Sequence, residues 1–423
     1  MLVTGVLVGM LVLLVIGTPV FIFLGLPAAV AMMFGTTLPW EAVASRVMDA
    51  LRSDVLITIP MFLLVGEALA SSRAMDDLVG AFNALVGHIR GGLALVVVLV
   101  AMFFAGISGS TTAETAILAR ALVVPLQQAG YPRQYTAGLI ASSATMGILI
   151  PPSIPMLLFA SITAVPVSQL FLAGLLPGVL VGLILAIAAI VIARRKGYGQ
   201  AGKAGSLKQR GTAIVRALPV LMIPAFIVFA LYSGFSTATE TGAIAATASL
   251  LIARLVYREL TLQSLTRMLL RTAKVSSAVI VMSATANLLG WLLTYERVPQ
   301  VITQFIVDAG FTPLLFLLAV NVLLFILGIP LDPPPIIFMT LPILFPVLAG
   351  LNINPVHFAV VMVVNMQIAQ ISPPMGGALF ALGTVGKVPL HEVYRGVLPF
   401  MGFLIMALLI LTYWPAASLQ LLR

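Results

Sequence analysis

The chain has 423 residues; 61% are apolar and only 8% carry charge (22 Lys+Arg, 13 Asp+Glu), with a mean hydropathy of +1.17. A soluble globular protein carries about 25% charged residues, so there is too little polar surface here for water, and the composition also excludes a disordered chain, a coiled coil and, with no Cys, a disulfide scaffold. What remains is an integral membrane protein with many crossings; its net charge of +9 falls in short loops, as in cytoplasmic loops, with no basic stripe interleaved with aromatics to suit nucleic acid.

Charge-free runs mark the spans, since a helix needs about 20 residues to cross the bilayer. No charge precedes Glu41. The start, MLVTGVLVGMLVLLVIG, has no Lys or Arg and no A-x-A signal, so it reads as a retained first span with the N-terminus outside, not as a signal peptide. Residues 91–113 are charge-free, 134–193 have room for two or three crossings, and 333–386 hold only His357. Lipid leaves open strands unsatisfied and no alternating barrel segments occur, so the spans are helices and the fold is an all-α polytopic bundle.

Residues 194–216 contain seven basic residues and no acid. They read as a cytoplasmic linker between an N-terminal unit, 1–193, and a C-terminal unit, 217–423. A second basic stretch, Arg254 to Lys274, carries Leu260, Leu262, Leu265, Met268 and Leu269 in a partly amphipathic pattern. It predicts an interfacial helix near 256–274, or else a plain connecting loop.

The two units resemble each other at an offset of 222. Gly106 in GISGSTTAE lies 45 positions before Pro151 in ILIPPSIPM, and Gly328 in LGIPLDPPP lies 45 before Pro373 in QISPPMGGA. At the nearby offset of 224, residues 60–73 weakly match 284–297, pairing Gly66 with Gly290 and Arg73 with Arg297. With the N-terminus outside and the linker inside, the first unit crosses an odd number of times. A duplicated second unit is then inverted, as in secondary transporters whose binding sites lie at interrupted helices.

The chemistry concentrates at those interruptions. Pro151–Pro152 and Pro373–Pro374 break their helices, near 147–155 and 369–377. They free carbonyls from Gly147 to Ile150 and from Ala369 to Ser372, a ligand set suited to sodium unless neighbouring hydroxyls heal the kinks. Each break follows a polar tip set between apolar arms, 106–114 and 328–335, which reads as a re-entrant hairpin. Ser108, Ser110, Thr111 and Thr112 supply hydroxyls there, and helix N-termini add positive potential for an anionic or polyol substrate. Asp332 and Glu114 are cation ligands or proton carriers by position; Glu114 is otherwise a helix-start charge or a partner of Arg120, and Glu240 reads as a helix-start acid. Ser143 aligns with Asn365 and Thr145 with Gln367; these four either line a substrate path or bond helices together. The three His share no metal spacing, and neither hydrolase nor nucleotide motifs occur, so an ion gradient, not ATP, is the expected energy source.

GISGSTTAETA (106–116), the GYP at 130–132, GILIPPSIPMLLFA (147–160), STATETGAIAA (236–246), GIPLDPPPIIFMTLPILFPV (328–347) and ISPPMGGALF (371–380) together resemble the large membrane subunit of tripartite ATP-independent periplasmic (TRAP) transporters. The resemblance spans almost the whole chain. It implies a sodium-coupled, elevator-type importer in the bacterial inner membrane, with a moving transport domain and a scaffold. It further implies a separate small four-helix subunit, since nothing precedes the first span, and a periplasmic binding protein. The substrate is then a small organic anion: a C4-dicarboxylate, sialic acid or another sugar acid. One sodium falls between the Ser108–Thr111 tip and Gly147, Ile150 and Pro151. A second falls between Gly328, Asp332, Ala369, Ser372 and Met375, with substrate between the tips. No organic cofactor or enzymatic activity is implied. Arg120 and the run Pro333 to Pro335 depart from the family pattern. The alternative is a stand-alone anion/sodium symporter of the same superfamily, although the Ser-Asn-Thr tips common there are missing.

Overall fold

The computed structural model describes residues 2–36, 39–70, 72–199 and 206–422, with Trp40 and residues 106–108 described by their backbone alone. The middle of the basic linker, 200–205, lies outside the described residues. Every regular element described is a helix. Before the linker come α1 (Leu2–Val15), α2 (Val20–Gly35), α3 (Trp40–Leu51), α4 (Asp54–Ala70), α5 (Ala74–Val86), α6 (Gly92–Ser108), α7 (Thr111–Gln128), α8 (Arg133–Ser143), α9 (Ile154–Thr163) and α10 (Val167–Lys196). After it come α11 (Leu207–Tyr232), α12 (Ala238–Leu251), α13 (Leu262–Tyr295), α14 (Val298–Asp308), α15 (Pro313–Gly328), α16 (Pro333–Gly350), α17 (Pro355–Gln370), α18 (Gly377–Gly386) and α19 (Leu390–Tyr413). Six described helices are long and apolar enough to cross a membrane, and α3 with α4, bent by 40°, would make a seventh. The chain is a multi-pass membrane protein.

From α7 onward the element starts keep the spacing of the sequence match. Thr111 and Pro333, like Arg133 and Pro355, stand 222 apart; Val167 and Leu390 stand 223 apart. The halves part company earlier, where the second has unbroken α13 in place of bent α3 and α4. The stretch expected as an interfacial helix near 256–274 is therefore different: from Leu262 it is the start of a 34-residue helix. No Gly or Pro occurs between Leu262 and Leu289 to interrupt it. At 1.5 Å per residue it runs about 50 Å, well beyond a hydrocarbon core of about 30 Å.

Local chemistry sets the helix starts. Ser110 caps α7, accepting the Ala113 N–H at 3.5 Å. Asn354 caps α17, accepting from Val356 and His357. Thr237 and Glu240 form a reciprocal capping box on α12, which makes Glu240 the helix-start acid expected of it. Pro333, Pro334 and Pro335 fill the first three positions of α16. The N–H groups there have no intrahelical acceptor, so the proline run removes no hydrogen bond.

Close approach of glycines packs the bundle. A Cβ on Gly138 of α8 would strike the Gly396 carbonyl of α19, and one on Gly396 would strike the Gln134 carbonyl. Several loops meet at one end: Gly199 N–H donates to Gly130 O at 3.5 Å, Arg194 Nε to Arg90 O at 3.2 Å, and Arg73 pairs with Glu259 at 3.0 Å. Gly138→Ala should destabilise the protein by about 2 kcal/mol through overpacking, read as a lower melting temperature in detergent. Gly402→Ala, with nothing within 4 Å of its new Cβ, should leave that temperature unchanged.

Candidate functional site

Both runs that follow the hairpins break at their proline pairs. After α8 a 3-10 turn, Ala144–Ile148, precedes a non-helical stretch, and the helix restarts at Ile154. α17 stops at Gln370 and α18 starts at Gly377. The Pro151–Pro152 and Pro373–Pro374 peptides are both cis. A serine in each break turns back onto the preceding helix: Ser153 Oγ donates to Ile148 O, and Ser372 Oγ to Ile368 O at 2.8 Å. Ser372 N–H also donates to Ala369 O at 2.9 Å. Healing by hydroxyls is thus real but partial, since one donor leaves a carbonyl a second lone pair.

Each tip seats on the break of its own half. Gly109 has φ +61°, and a Cβ there would lie 3.1 Å from Ile154 Cγ1 and 3.6 Å from Pro152 O. A Cβ on Gly328 would lie 2.5 Å from Ala369 Cβ. Ile150 is buried, whereas Met375 is 57% exposed and stands out from the break.

Between the tips lies a cavity of about 380 Å³. Ser110, Thr111 and Thr112 line it from the first tip, Asp332 to Pro334 from the second, Ile148 from the first break and Gln370 from the second. Gly66, Glu67 and Ala70 of α4 and Val275 and Val279 of α13 close its far wall. Gln370 Oε1, Thr112 Oγ1 and Asp332 Oδ1 lie 3.3, 3.5 and 3.7 Å from the point a Cβ on Gly377 would occupy, so oxygens of both halves meet there. Gln370 Nε2 donates to Asp332 Oδ1 at 3.1 Å and Leu331 O at 3.2 Å, holding the second tip. Two carboxylates and no Lys or Arg line the cavity among the described residues; Arg271 offsets Glu67 from outside at 3.6 Å. A second cavity, about 550 Å³, opens toward the other end of α13. Asn287, Trp291 and Thr294 line it with Arg46 of α3 and Ser161 of α9, and the Arg46 guanidinium lies 5.3 Å from the Trp291 ring centre.

The site residues expected from sequence divide into two groups. Ser110, Thr111, Thr112 and Asp332 meet at the cavity, with Gly328, Ala369 and Ser372 behind the second tip. Gly147 stands beside Glu114; the Ser108 side chain lies outside the described residues. Ser143, Thr145, Asn365 and Gln367 are fully buried and do not line the cavity. Thr145 Oγ1 donates to Ser142 O at 2.7 Å. Asn365 Nδ2 donates to Asn321 O and Oδ1, both at 2.8 Å, and Asn321 Nδ2 reaches Thr412 Oγ1 at 3.0 Å. Asn365 is therefore a bond between helices. Sequence reading missed Glu67 and Gln370. Gln370 could have been found as the last polar residue before a proline break; Glu67 is an acid within an apolar run, but its direction is not readable.

Residues 7–417 match the family described as "Tripartite ATP-independent periplasmic transporter, DctM component". The chain is 37% identical over 398 residues to the C4-dicarboxylate TRAP transporter large permease protein DctM of Pseudomonas aeruginosa, covering 94% of this chain and 93% of that one. It is 30% identical over 417 residues to the sialic acid TRAP transporter large permease protein SiaM of Vibrio cholerae, covering 99% and 97%. Among solved structures, the YdaH transporter of Alcanivorax borkumensis is similar in fold, with a TM-score of 0.68 at 13% identity over 93% of this chain and 96% of that one.

Asn365→Ala should leave Asn321 and its neighbours short of a partner at a cost of about 1–3 kcal/mol. A lowered melting temperature with an unchanged substrate KM is the expected pair of readings, and a raised KM at unchanged stability would return Asn365 to the substrate path.

Proposed function

The chain belongs to the tripartite ATP-independent periplasmic transporter family as its large permease, the DctM component, and on that premise we propose that it carries a small organic anion across the bacterial inner membrane, coupled to sodium. The observation that carries this reading is the closure of both tips and both breaks on one cavity. The relatives named for C4-dicarboxylate and sialic acid set the substrate class as organic acids.

Electrostatics favours a cation partner. An anion entering a cavity lined by Glu67 and Asp332, with no basic side chain among the described residues of its wall, meets repulsion in a low dielectric. Sodium ions held at the breaks offset that repulsion, so anion and cation bind best together. Break carbonyls and helix ends are the usual cation ligands in such carriers, and helix N-termini the usual anion ligands. On this reading one sodium lies among Ser108, Ser110, Thr111, Gly147 and Ile150, and the second among Gly328, Asp332, Ala369 and Ser372. Met375 contributes its backbone there, since its side chain points away. Thr112 and the hydroxyls of Ser110 and Thr111 face the substrate.

The matched halves are read as inverted repeats, with the basic linker in the cytoplasm and both termini periplasmic. The hairpins and broken helices form the moving body, and α4 and α13 belong to the scaffold. The small four-helix membrane subunit and the periplasmic binding protein are its partners.

The test is uptake of a C4-dicarboxylate panel and sialic acid into proteoliposomes holding the chain with its small subunit, with and without binding protein and an inward sodium gradient. Dependence on both is expected. Sodium-driven uptake without the binding protein would favour the stand-alone symporter, and uptake indifferent to sodium would overturn the coupling. Asp332→Ala and Ser372→Ala should each raise the sodium concentration for half-maximal uptake about tenfold at unchanged expression.

A further inference from the structure

We propose that Arg46 receives the carboxylate of the transported anion in the second cavity, a station apart from the cavity between the tips. This rests on the organic-anion reading above and adds to it a residue that recognises the cargo.

The helix order puts this cavity on the side opposite the basic linker. α11 leaves the linker and α12 returns, both long and apolar enough to cross a membrane, so α13 starts on the linker's side. Asn287, Trp291 and Thr294 belong to the last turns of α13 and so to its far end. With the linker in the cytoplasm, that end is periplasmic, the side from which cargo arrives. The cavity there measures about 550 Å³, within the range of small-molecule sites.

Its chemistry reverses that of the tip cavity, whose described wall holds Glu67 and Asp332 and no base. Arg46 lines the second cavity, is exposed, and belongs to no described ion pair. Asp49, nearly one turn on, lines it too and is likewise outside any described ion pair. The Arg46 guanidinium lies over the Trp291 ring, 5.3 Å from its centre. An aromatic face holds a guanidinium in place without using its N–H groups, which remain free to grip a carboxylate through two parallel bonds.

The other polar groups of the wall sort by where their protons go. Ser161 Oγ donates to Leu158 O at 2.7 Å and Thr294 Oγ1 to Gly290 O at 2.8 Å, so both hydroxyls spend their proton inside their own helix. Asn287 Nδ2 donates to Ser283 O at 2.9 Å and keeps a second N–H. Arg46 and Asn287 thus hold unspent donors on α3 and α13, while α16 offers them only Pro342, Phe345 and Pro346. Unspent donors around a positive charge call for an oxyanion. A lipid phosphate has the same chemistry, but the apolar crevice that suits an acyl chain, lined by Leu7, Leu11, Leu289 and Leu293, shares no lining residue with this cavity and opens on another face of α13. A soluble carboxylate is the better fit.

The experiment titrates tryptophan fluorescence of the purified full-length chain in detergent with succinate, sialic acid and phosphatidylglycerol, and measures uptake of the two acids in the proteoliposomes described above. Saturable quenching by one of the acids is expected, and Trp291→Phe should abolish it. Arg46→Gln should weaken that binding about tenfold or more and raise the uptake KM by a similar factor at unchanged melting temperature. Asp49→Asn, which removes a charge that repels the arriving carboxylate, should tighten it. A response to phosphatidylglycerol in place of either acid, or binding and KM unaltered by Arg46→Gln, would overturn the station while leaving organic-acid uptake intact. Uptake of neither acid by the unaltered chain would instead overturn the reading on which the station rests.

Discussion

Backbone polar groups at membrane depth must find partners inside the protein, and the two proline breaks are where this chain strains that requirement most. Residues 149–153 and 371–376 lie outside α-helix within apolar runs. Much of the surrounding architecture answers to them. Gly109 and Gly328 let each tip come down on its break, and Ser153 and Ser372 return hydroxyls to helix carbonyls. A polar cavity between the two tips is the by-product of leaving that satisfaction incomplete.

The rigidity that holds these openings comes from a buried polar ladder. Asn365 joins α17 to Asn321 on α15, Asn321 reaches Thr412 on α19, and His357 lies 3.3 Å from Thr412 O and 3.2 Å from Ser418 Oγ. Residues 356–370 are buried throughout. The ladder ties α15, α17 and α19 together, although Asn365 Oδ1 keeps no partner among the described residues, and the break beyond it keeps spare acceptors. Firm arms around a loosely satisfied centre suit a site whose occupants come and go.

Proline pairs and Gly-polar tips were legible in sequence because they violate helix rules inside apolar runs, and that irregularity survives any packing. Which way a side chain points was not. Ser143, Thr145, Asn365 and Gln367 share polarity with Thr112, yet only Thr112 faces the cavity, because residues 135–147 and 356–369 are all buried and period carries no direction there. The run Pro333 to Pro335 looked anomalous until placed at the first turn of α16, where proline is harmless. The stretch 256–274 misled because an amphipathic start says nothing about where a helix ends.

Unbroken α13 has a metric consequence. Val279 lines the cavity between the tips, and Trp291 lines the one beside Arg46. The two residues are twelve positions apart on one unbroken helix, about 18 Å of rise at 1.5 Å per residue. The uninterrupted register of this helix is a ruler, and the separation of the two chambers is written in it as a count of residues.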